Sequence, residues 1–118
     1  MPRPVPPPSS RDSPCYRFLM EPRSRKISVE DDLEIHVLEW SDEGVPLVLL
    51  HGHGNDAHLW DDFVPCVAPH YRVVAVDQRG HGDSDWSADG SYDTEFMVRD
   101  LERLTEALEI DRFVLVGF

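Results

Sequence analysis

The segment YRVVAVDQRGHGDSD, residues 71–85, joins an apolar run to a polar loop rich in glycine. The run has no polar residue between positions 73 and 76, which is typical of a strand that helices cover on both faces of a sheet. Its glycines let the loop backbone turn through angles that other residues rarely adopt. We expect charge-assisted hydrogen bonds across this loop between Arg79 and the three aspartates Asp77, Asp83 and Asp85.

Similar apolar runs occupy residues 47–50 and 113–116, and helical patterns lie between the runs. Segment 57–68 predicts a helix that Pro65 breaks or tightens. A second helix, capped by Asp93 or Thr94, is predicted from a single apolar stripe. The stripe consists of Met97, Leu101, Leu104 and Leu108.

The stretch before these runs alternates apolar and polar residues on either side of Asp31 and Asp32. Period-two alternation around a polar turn predicts an antiparallel hairpin that is half buried. The whole order is therefore β-β-β-α-β-α-β. It predicts an α/β fold, a mostly parallel sheet with an antiparallel N-terminal hairpin and flanking helices.

Composition narrows the domain organisation and the partners. Residues 1–24 hold seven of the ten prolines and predict a disordered arm, which leaves residues 25–118 as the folded domain. Asp plus Glu total 23 against 11 for Lys plus Arg, which argues against nucleic acid or an anionic membrane as partner. Cys15 and Cys66 have neither a disulfide framework nor metal-ligand spacing. We therefore expect free thiols, no metal, and a soluble cytoplasmic protein without a targeting or membrane segment.

The loop HGHG, residues 51–54, directly follows the apolar run at 47–50. Together with the loop after residue 76 and the GF pair at 117–118, it resembles three successive blocks of the α/β-hydrolase superfamily, of the AB hydrolase-1 type. The resemblance spans about residues 25–118, as an incomplete hydrolase domain. It implies that the backbone N–H of His53 forms part of an oxyanion hole, that His51 braces the loop, and that no cofactor is needed.

The family's nucleophile elbow, Gly-x-nucleophile-x-Gly, would begin at Gly117 and place the nucleophile at residue 119. The triad acid and histidine follow later in the family's chain order. Ser84 lacks the elbow context, so we interpret it as structural. We therefore expect an inactive N-terminal fragment, prone to associate through its last strand. The parent would act on an ester or related small-molecule bond, as an esterase, epoxide hydrolase or haloalkane dehalogenase. Its nucleophile would be Ser, Asp or Cys. The sequence does not predict its oligomeric state.

Two alternatives stay open at this point. One is an NAD(P)-binding Rossmann-type domain, because residues 52–57 fit G-x-G-x-x-A after a strand and Asp77 ends the next strand. The preceding hairpin, Pro65 and the second glycine loop count against it. The other is a non-catalytic hydrolase relic.

Overall fold

The computed structural model describes residues 21–118. Most of the predicted arm therefore lies outside the described residues, but the first strand already begins at Arg23, within residues 1–24. The strands are β1 (Arg23–Glu30), β2 (Leu33–Glu39), β3 (Val45–Leu50), β4 (Tyr71–Val76) and β5 (Val114–Gly117). The helical elements are a 3₁₀ turn (Ala57–Trp60), α1 (Val64–Val67) and α2 (Thr94–Ala107).

The strands form one mixed sheet in the order β1-β2-β4-β3-β5. β3 pairs in parallel with both β4 and β5, whereas β1 and β2 form an antiparallel hairpin and β2 runs antiparallel to β4. This arrangement confirms the predicted α/β sheet with an antiparallel N-terminal hairpin. It also brings the C-terminal ends of the parallel strands β3, β4 and β5 to the same end of the sheet, where the loops that follow them meet.

Each face of the sheet has its own apolar core. One face packs against α2, and its core includes Ile27, Ile35, Val37, Val74 and Leu104. The other face packs against the 3₁₀ turn and α1, and its core includes Leu38, Leu49, Ala57, Val64 and Ala75. The hairpin is half buried only on β1. On β2 the expectation is wrong, because this second layer and the loop after β4 also bury His36 and Leu38.

The helices follow the predicted pattern with two refinements. Segment 57–68 divides into the 3₁₀ turn and the four-residue α1, which carries Pro65 in its first turn, where the missing N–H costs no hydrogen bond. Asp93 occupies the cap position of α2, yet its side chain makes no capping hydrogen bond. No helix within residues 21–118 is long and apolar enough to cross a membrane.

Cys66, on α1, is disulfide-bonded. The expectation of a free thiol is therefore wrong for this residue, and Cys15 lies outside the described residues. Disulfides persist mainly in oxidising compartments. The cysteines therefore no longer support the expectation of a cytoplasmic location.

β5 forms one edge of the sheet described for residues 21–118. It pairs with β3 on one side, while the side chains of Val114 and Leu115 are 44% and 49% exposed. Phe118, immediately after the strand, is 80% exposed. An apolar strand end at an edge is a template for association with another chain.

Candidate active site

His51 joins the loop after β3 to the loop after β4. Its Nε2 accepts a hydrogen bond from the backbone N–H of Gln78 at 3.0 Å, and the Gln78 side-chain amide donates to the His51 carbonyl at 2.8 Å. An accepting Nε2 places the ring proton on Nδ1, which donates to the Gly52 carbonyl at 2.8 Å. Burial lowers the pKa of His51, in keeping with a neutral ring. His51 thus braces the loop, as the resemblance implies.

His53 lies in a tight turn directly after this brace. The Asn55 N–H donates to the Gly52 carbonyl at 3.1 Å, and Gly54 takes a φ of +82°, which closes the turn. His53 is exposed, and its backbone N–H donates to no acceptor within residues 21–118. Within residues 21–118, nothing competes with an incoming ligand for this amide.

Gly52 places this turn against the end of β5. The Phe118 N–H donates to the Leu50 carbonyl at 3.1 Å. A Cβ on Gly52 would lie 3.2 Å from both the ring and the carbonyl oxygen of Phe118. Glycine therefore permits this close approach, and the chain leaving β5 passes next to the His53 turn.

Asp77 organises the loop after β4. Its buried carboxylate accepts from the Ala57 N–H at 2.7 Å, from the Asp83 N–H at 3.0 Å and from Nδ1 of His36 at 2.8 Å. A Cβ on Gly82, whose φ is +54°, would overlap this carboxylate. Glycine is therefore required at position 82.

Ser84 faces only backbone partners. Its hydroxyl donates to the Asp77 carbonyl and accepts from the His36 N–H at 2.7 Å, and the residue is buried. This geometry agrees with the interpretation of Ser84 as structural, because no histidine ring within residues 21–118 bonds to its hydroxyl.

Arg79 does not bond to the aspartates of its own loop, so that expectation is wrong. Its guanidinium lies on the α2 side of the sheet, where it bonds to both carboxylate oxygens of Asp100 at 2.7 Å. It also bonds to Glu30 at 2.7 Å and to the Ser91 carbonyl at 2.8 Å. Asp77 points to the opposite face. The hydrogen bonds to Asp100 chiefly raise the pKa of the buried Arg79.

Asp85, the third aspartate of the loop, instead bonds to the hairpin. Its carboxylate accepts from the Glu34 N–H at 2.9 Å. Together with the Arg79 contact to Glu30, this bond fastens the loop to both strands of the hairpin.

Three imidazoles cluster where the two loops meet. The ring centroid of His81 lies 4.8 Å from that of His51 and 5.7 Å from that of His53. Ring nitrogens of His51 and His81 bond to backbone groups. The three rings therefore pack together where the loops after β3 and β4 meet.

His36, Asp77 and Asp83 come close enough to share a cation, their ligand atoms lying within 4.8 Å of one another. However, Nδ1 of His36 is already joined to Asp77 by the 2.8 Å hydrogen bond. Asp77 also accepts hydrogen bonds from two backbone N–H groups. Hydrogen bonds therefore already engage His36 Nδ1 and the Asp77 carboxylate, the atoms that would have to bind the cation.

Sequence reasoning missed the role of His36. It was grouped with the alternating residues of the hairpin, but its ring bonds to Asp77 on one side and to Ser24 on the other. Nε2 lies 2.5 Å from the Ser24 Oγ. Finding this role would have required knowing that β2 lies next to β4, the strand that leads into Asp77. Strand order is not visible in the sequence.

A cavity of about 230 Å³ lies between the sheet and α2. Its lining is mainly apolar and includes Leu50, Met97, Leu101, Leu104 and Leu115. The lining contains neither His51 nor His53, so the cavity is separate from the free amide.

The family model for the alpha/beta hydrolase fold matches residues 45–118, and the chain belongs to this family. This result favours the hydrolase over the dinucleotide-binding alternative. The chain is 36% identical over 93 residues to a non-heme chloroperoxidase of Streptomyces lividans, covering 77% of this chain and 33% of the relative. It is 32% identical over 113 residues to a haloalkane dehalogenase of Mesorhizobium japonicum, covering 92% and 35%.

Solved structures agree. An alpha/beta hydrolase from Novosphingobium aromaticivorans superposes with a TM-score of 0.78 at 30% identity, covering 83% of this chain and 35% of that one. The chain therefore spans about a third of the length of the relatives that it matches.

Proposed function

We propose that these residues form the N-terminal part of an α/β-hydrolase that cleaves an ester or related bond in a small molecule by nucleophilic catalysis. The observation that carries this proposal is the N–H of His53, which donates to no acceptor in the described part of the chain and lies in a turn that touches the end of β5. In this proposal the described residues supply one oxyanion donor. The nucleophile belongs to the position after Phe118, and the 118 residues alone give no turnover.

The mechanism follows from the position of this amide. A nucleophile beside Phe118 attacks a carbonyl carbon, and the developing oxyanion accepts from the His53 N–H and from the amide after the nucleophile. Each such donor contributes about 3–4 kcal/mol to the transition state. These groups are side-chain and backbone atoms, so the mechanism needs no metal or organic cofactor.

The nucleophile decides the reaction class. A serine or cysteine would form an acyl-enzyme, which water then hydrolyses with a histidine as base. An aspartate would form an ester intermediate with an epoxide or a haloalkane substrate, and one of the similar proteins is a haloalkane dehalogenase. Both reaction classes are part of the proposal, because the loops after β3 and β4 are compatible with either one.

The oxyanion role is tested by removing only the N–H at position 53 in the full-length hydrolase. His53→Pro deletes the donor and should lower kcat about 10²–10³-fold. His53→Ala keeps the N–H and is the matched control, expected within about threefold of the wild type, since the proposal assigns no role to the side chain. Equal losses in both variants would contradict the proposal.

The inactivity of the 118-residue chain is tested separately with p-nitrophenyl esters. We expect no steady-state turnover. Any steady-state turnover by the purified chain would contradict this expectation, and its loss in Ser84→Ala would assign the nucleophile to Ser84.

A further inference from the structure

We propose that Ser24 is a reactive serine, with His36 as its base and Asp77 as the positioning residue, and that it takes a phosphonyl group from small fluorophosphonates. None of the three residues belongs to the His53 turn, although Asp77 accepts from the Ala57 N–H shortly after it. The proposal therefore does not depend on the function of that turn.

The three side chains form a continuous hydrogen-bonded relay across β1, β2 and the end of β4. Ser24 Oγ lies 2.5 Å from Nε2 of His36, and Nδ1 of His36 lies 2.8 Å from Oδ2 of Asp77. Both ring nitrogens are thus engaged, one toward a hydroxyl and one toward a carboxylate. This is the connectivity by which a histidine activates a serine.

The carboxylate end of the relay sets the tautomer. Asp77 accepts two further hydrogen bonds, from the Ala57 N–H at 2.7 Å and the Asp83 N–H at 3.0 Å, so it acts as an acceptor toward Nδ1 as well. Nδ1 therefore carries the ring proton, and Nε2 is left with its lone pair toward Ser24. Both His36 and Asp77 are buried, which holds the ring in this orientation.

The serine end of the relay is open. Ser24 is exposed on β1, the outer strand of the sheet, so a reagent reaches its hydroxyl directly. Lys26 lies two positions further along the same face of β1, directly opposite His36 in the antiparallel register. Its ammonium lies 4.0 Å from the Asp85 carboxylate, which partly neutralises it, so the proposal rests on the relay and not on this cation.

Arg23 and Arg25 have side chains on the other face of β1. Both bond to Glu39, so Lys26 is the nearest basic residue on the Ser24 face of β1.

The exposed position of Ser24 also explains the choice of reagent. A small electrophile with a good leaving group needs no deep pocket, whereas a larger natural ester would need one.

The reaction balances within the relay and the reagent. Ser24 Oγ forms a bond to phosphorus as its proton passes to Nε2 of His36, and the P–F bond breaks to release fluoride. The imidazolium then gives its proton to solvent. The product is a phosphonyl-serine, so labelling stops at one adduct per chain.

The test is fluorophosphonate labelling of the full 118-residue chain, followed by intact mass and tandem mass spectrometry. Ser28→Ala is the matched control, because Ser28 is exposed on the same face of β1 but its hydroxyl bonds to the Glu30 carbonyl. We expect one adduct at Ser24 in the wild type and in Ser28→Ala, none in Ser24→Ala, and at least tenfold slower labelling in His36→Gln.

Circular dichroism checks that each variant is folded. Loss of fold in His36→Gln would leave the comparison to Ser24→Ala and Ser28→Ala, which alter only exposed hydroxyls. Three results overturn the proposal: no adduct at Ser24, an equal rate at Ser28, or an unchanged Ser24 rate in a folded His36→Gln variant. The last result would make Ser24 an ordinary surface serine.

Discussion

The Arg79 guanidinium and the Asp100 carboxylate form two parallel hydrogen bonds, each 2.7 Å long. Both residues are buried, at 1% and 6% exposure, and Glu30 on β1 shares the guanidinium. The pair therefore joins the loop after β4 to α2 and to the hairpin. It lies on the face opposite Asp77, so the two faces of this loop are held by separate charged groups.

Arg79→Gln should lower the free energy of unfolding by about 3–5 kcal/mol, because it leaves the buried Asp100 carboxylate without its partner. Urea denaturation at low protein concentration, followed by tryptophan fluorescence, measures the change. Arg99→Gln is the control, since Arg99 is exposed on α2 and loses only a cation–π contact with Phe96, which should change stability by less than about 1 kcal/mol. Similar losses in the two variants would refute a special role for the Arg79 pair.

Gly82→Ala should be far more destabilising than Gly90→Ala. Both glycines have positive φ, +54° and +75°, so each substitution pays a backbone cost of about 1–2 kcal/mol. Only at Gly82 would the new methyl group also overlap the Asp77 carboxylate, whereas at Gly90 it would meet no described residue within 4 Å apart from its chain neighbours. Urea midpoints for the two variants compare the costs directly. Equal midpoints would mean that Asp77 moves aside freely.

His51 predicts an acid-sensitive stability. Its folded pKa is lowered from the ordinary value of 6.5, chiefly by burial, so below about pH 6.5 the unfolded chain binds more protons than the folded one. The stability contributed by the neutral ring is present above pH 6.5 and is lost as the pH falls toward the lowered folded pKa. The urea midpoint should therefore be lower at pH 5.5 than at pH 7.5.

The His51→Gln variant should reduce this difference, because glutamine does not titrate. His58→Gln is the informative control. The hydrogen bond to Asp61 raises the pKa of His58, so its contribution is present below pH 6.5 and is lost as the pH rises through the raised value. The His58→Gln variant should therefore still lose stability between pH 7.5 and pH 5.5. An unchanged pH dependence in His51→Gln would contradict the assignment.

Association through β5 is expected for the isolated chain. Leu115→Lys places a charge on this apolar edge and should lower the average mass measured by light scattering after size-exclusion chromatography. Val98→Lys on α2 is matched in exposure, 49% for both side chains, and should leave the mass unchanged. A monodisperse wild-type monomer with a cooperative thermal transition would refute this prediction.

The sheet and its layers could be predicted from sequence because apolar runs and alternation directly encode burial. The three strands with continuous apolar runs, the α2 stripe and the break at Pro65 all depend on local pattern. The partners of Arg79 could not be predicted, because Asp100 lies 21 positions away and the face to which each loop side chain turns depends on tertiary packing. Burial of β2 on both faces and the His36 relay depend on strand order, which no local pattern contains.

The position of His53 illustrates the same boundary. The glycine loop predicted only that backbone N–H groups could face a ligand, and the family resemblance assigned the donor to His53, which is an exposed residue. Contact between Gly52 and Phe118 is a tertiary feature that spacing alone could not establish.

The most direct test of the hydrolase proposal is to sequence the gene through the codons after Phe118. The proposal predicts Ser, Asp or Cys at position 119 and glycine at position 121, which would complete the nucleophile elbow beside the His53 amide. A stop codon, or a residue at 119 that cannot act as a nucleophile, would contradict it and favour a non-catalytic relic of the fold.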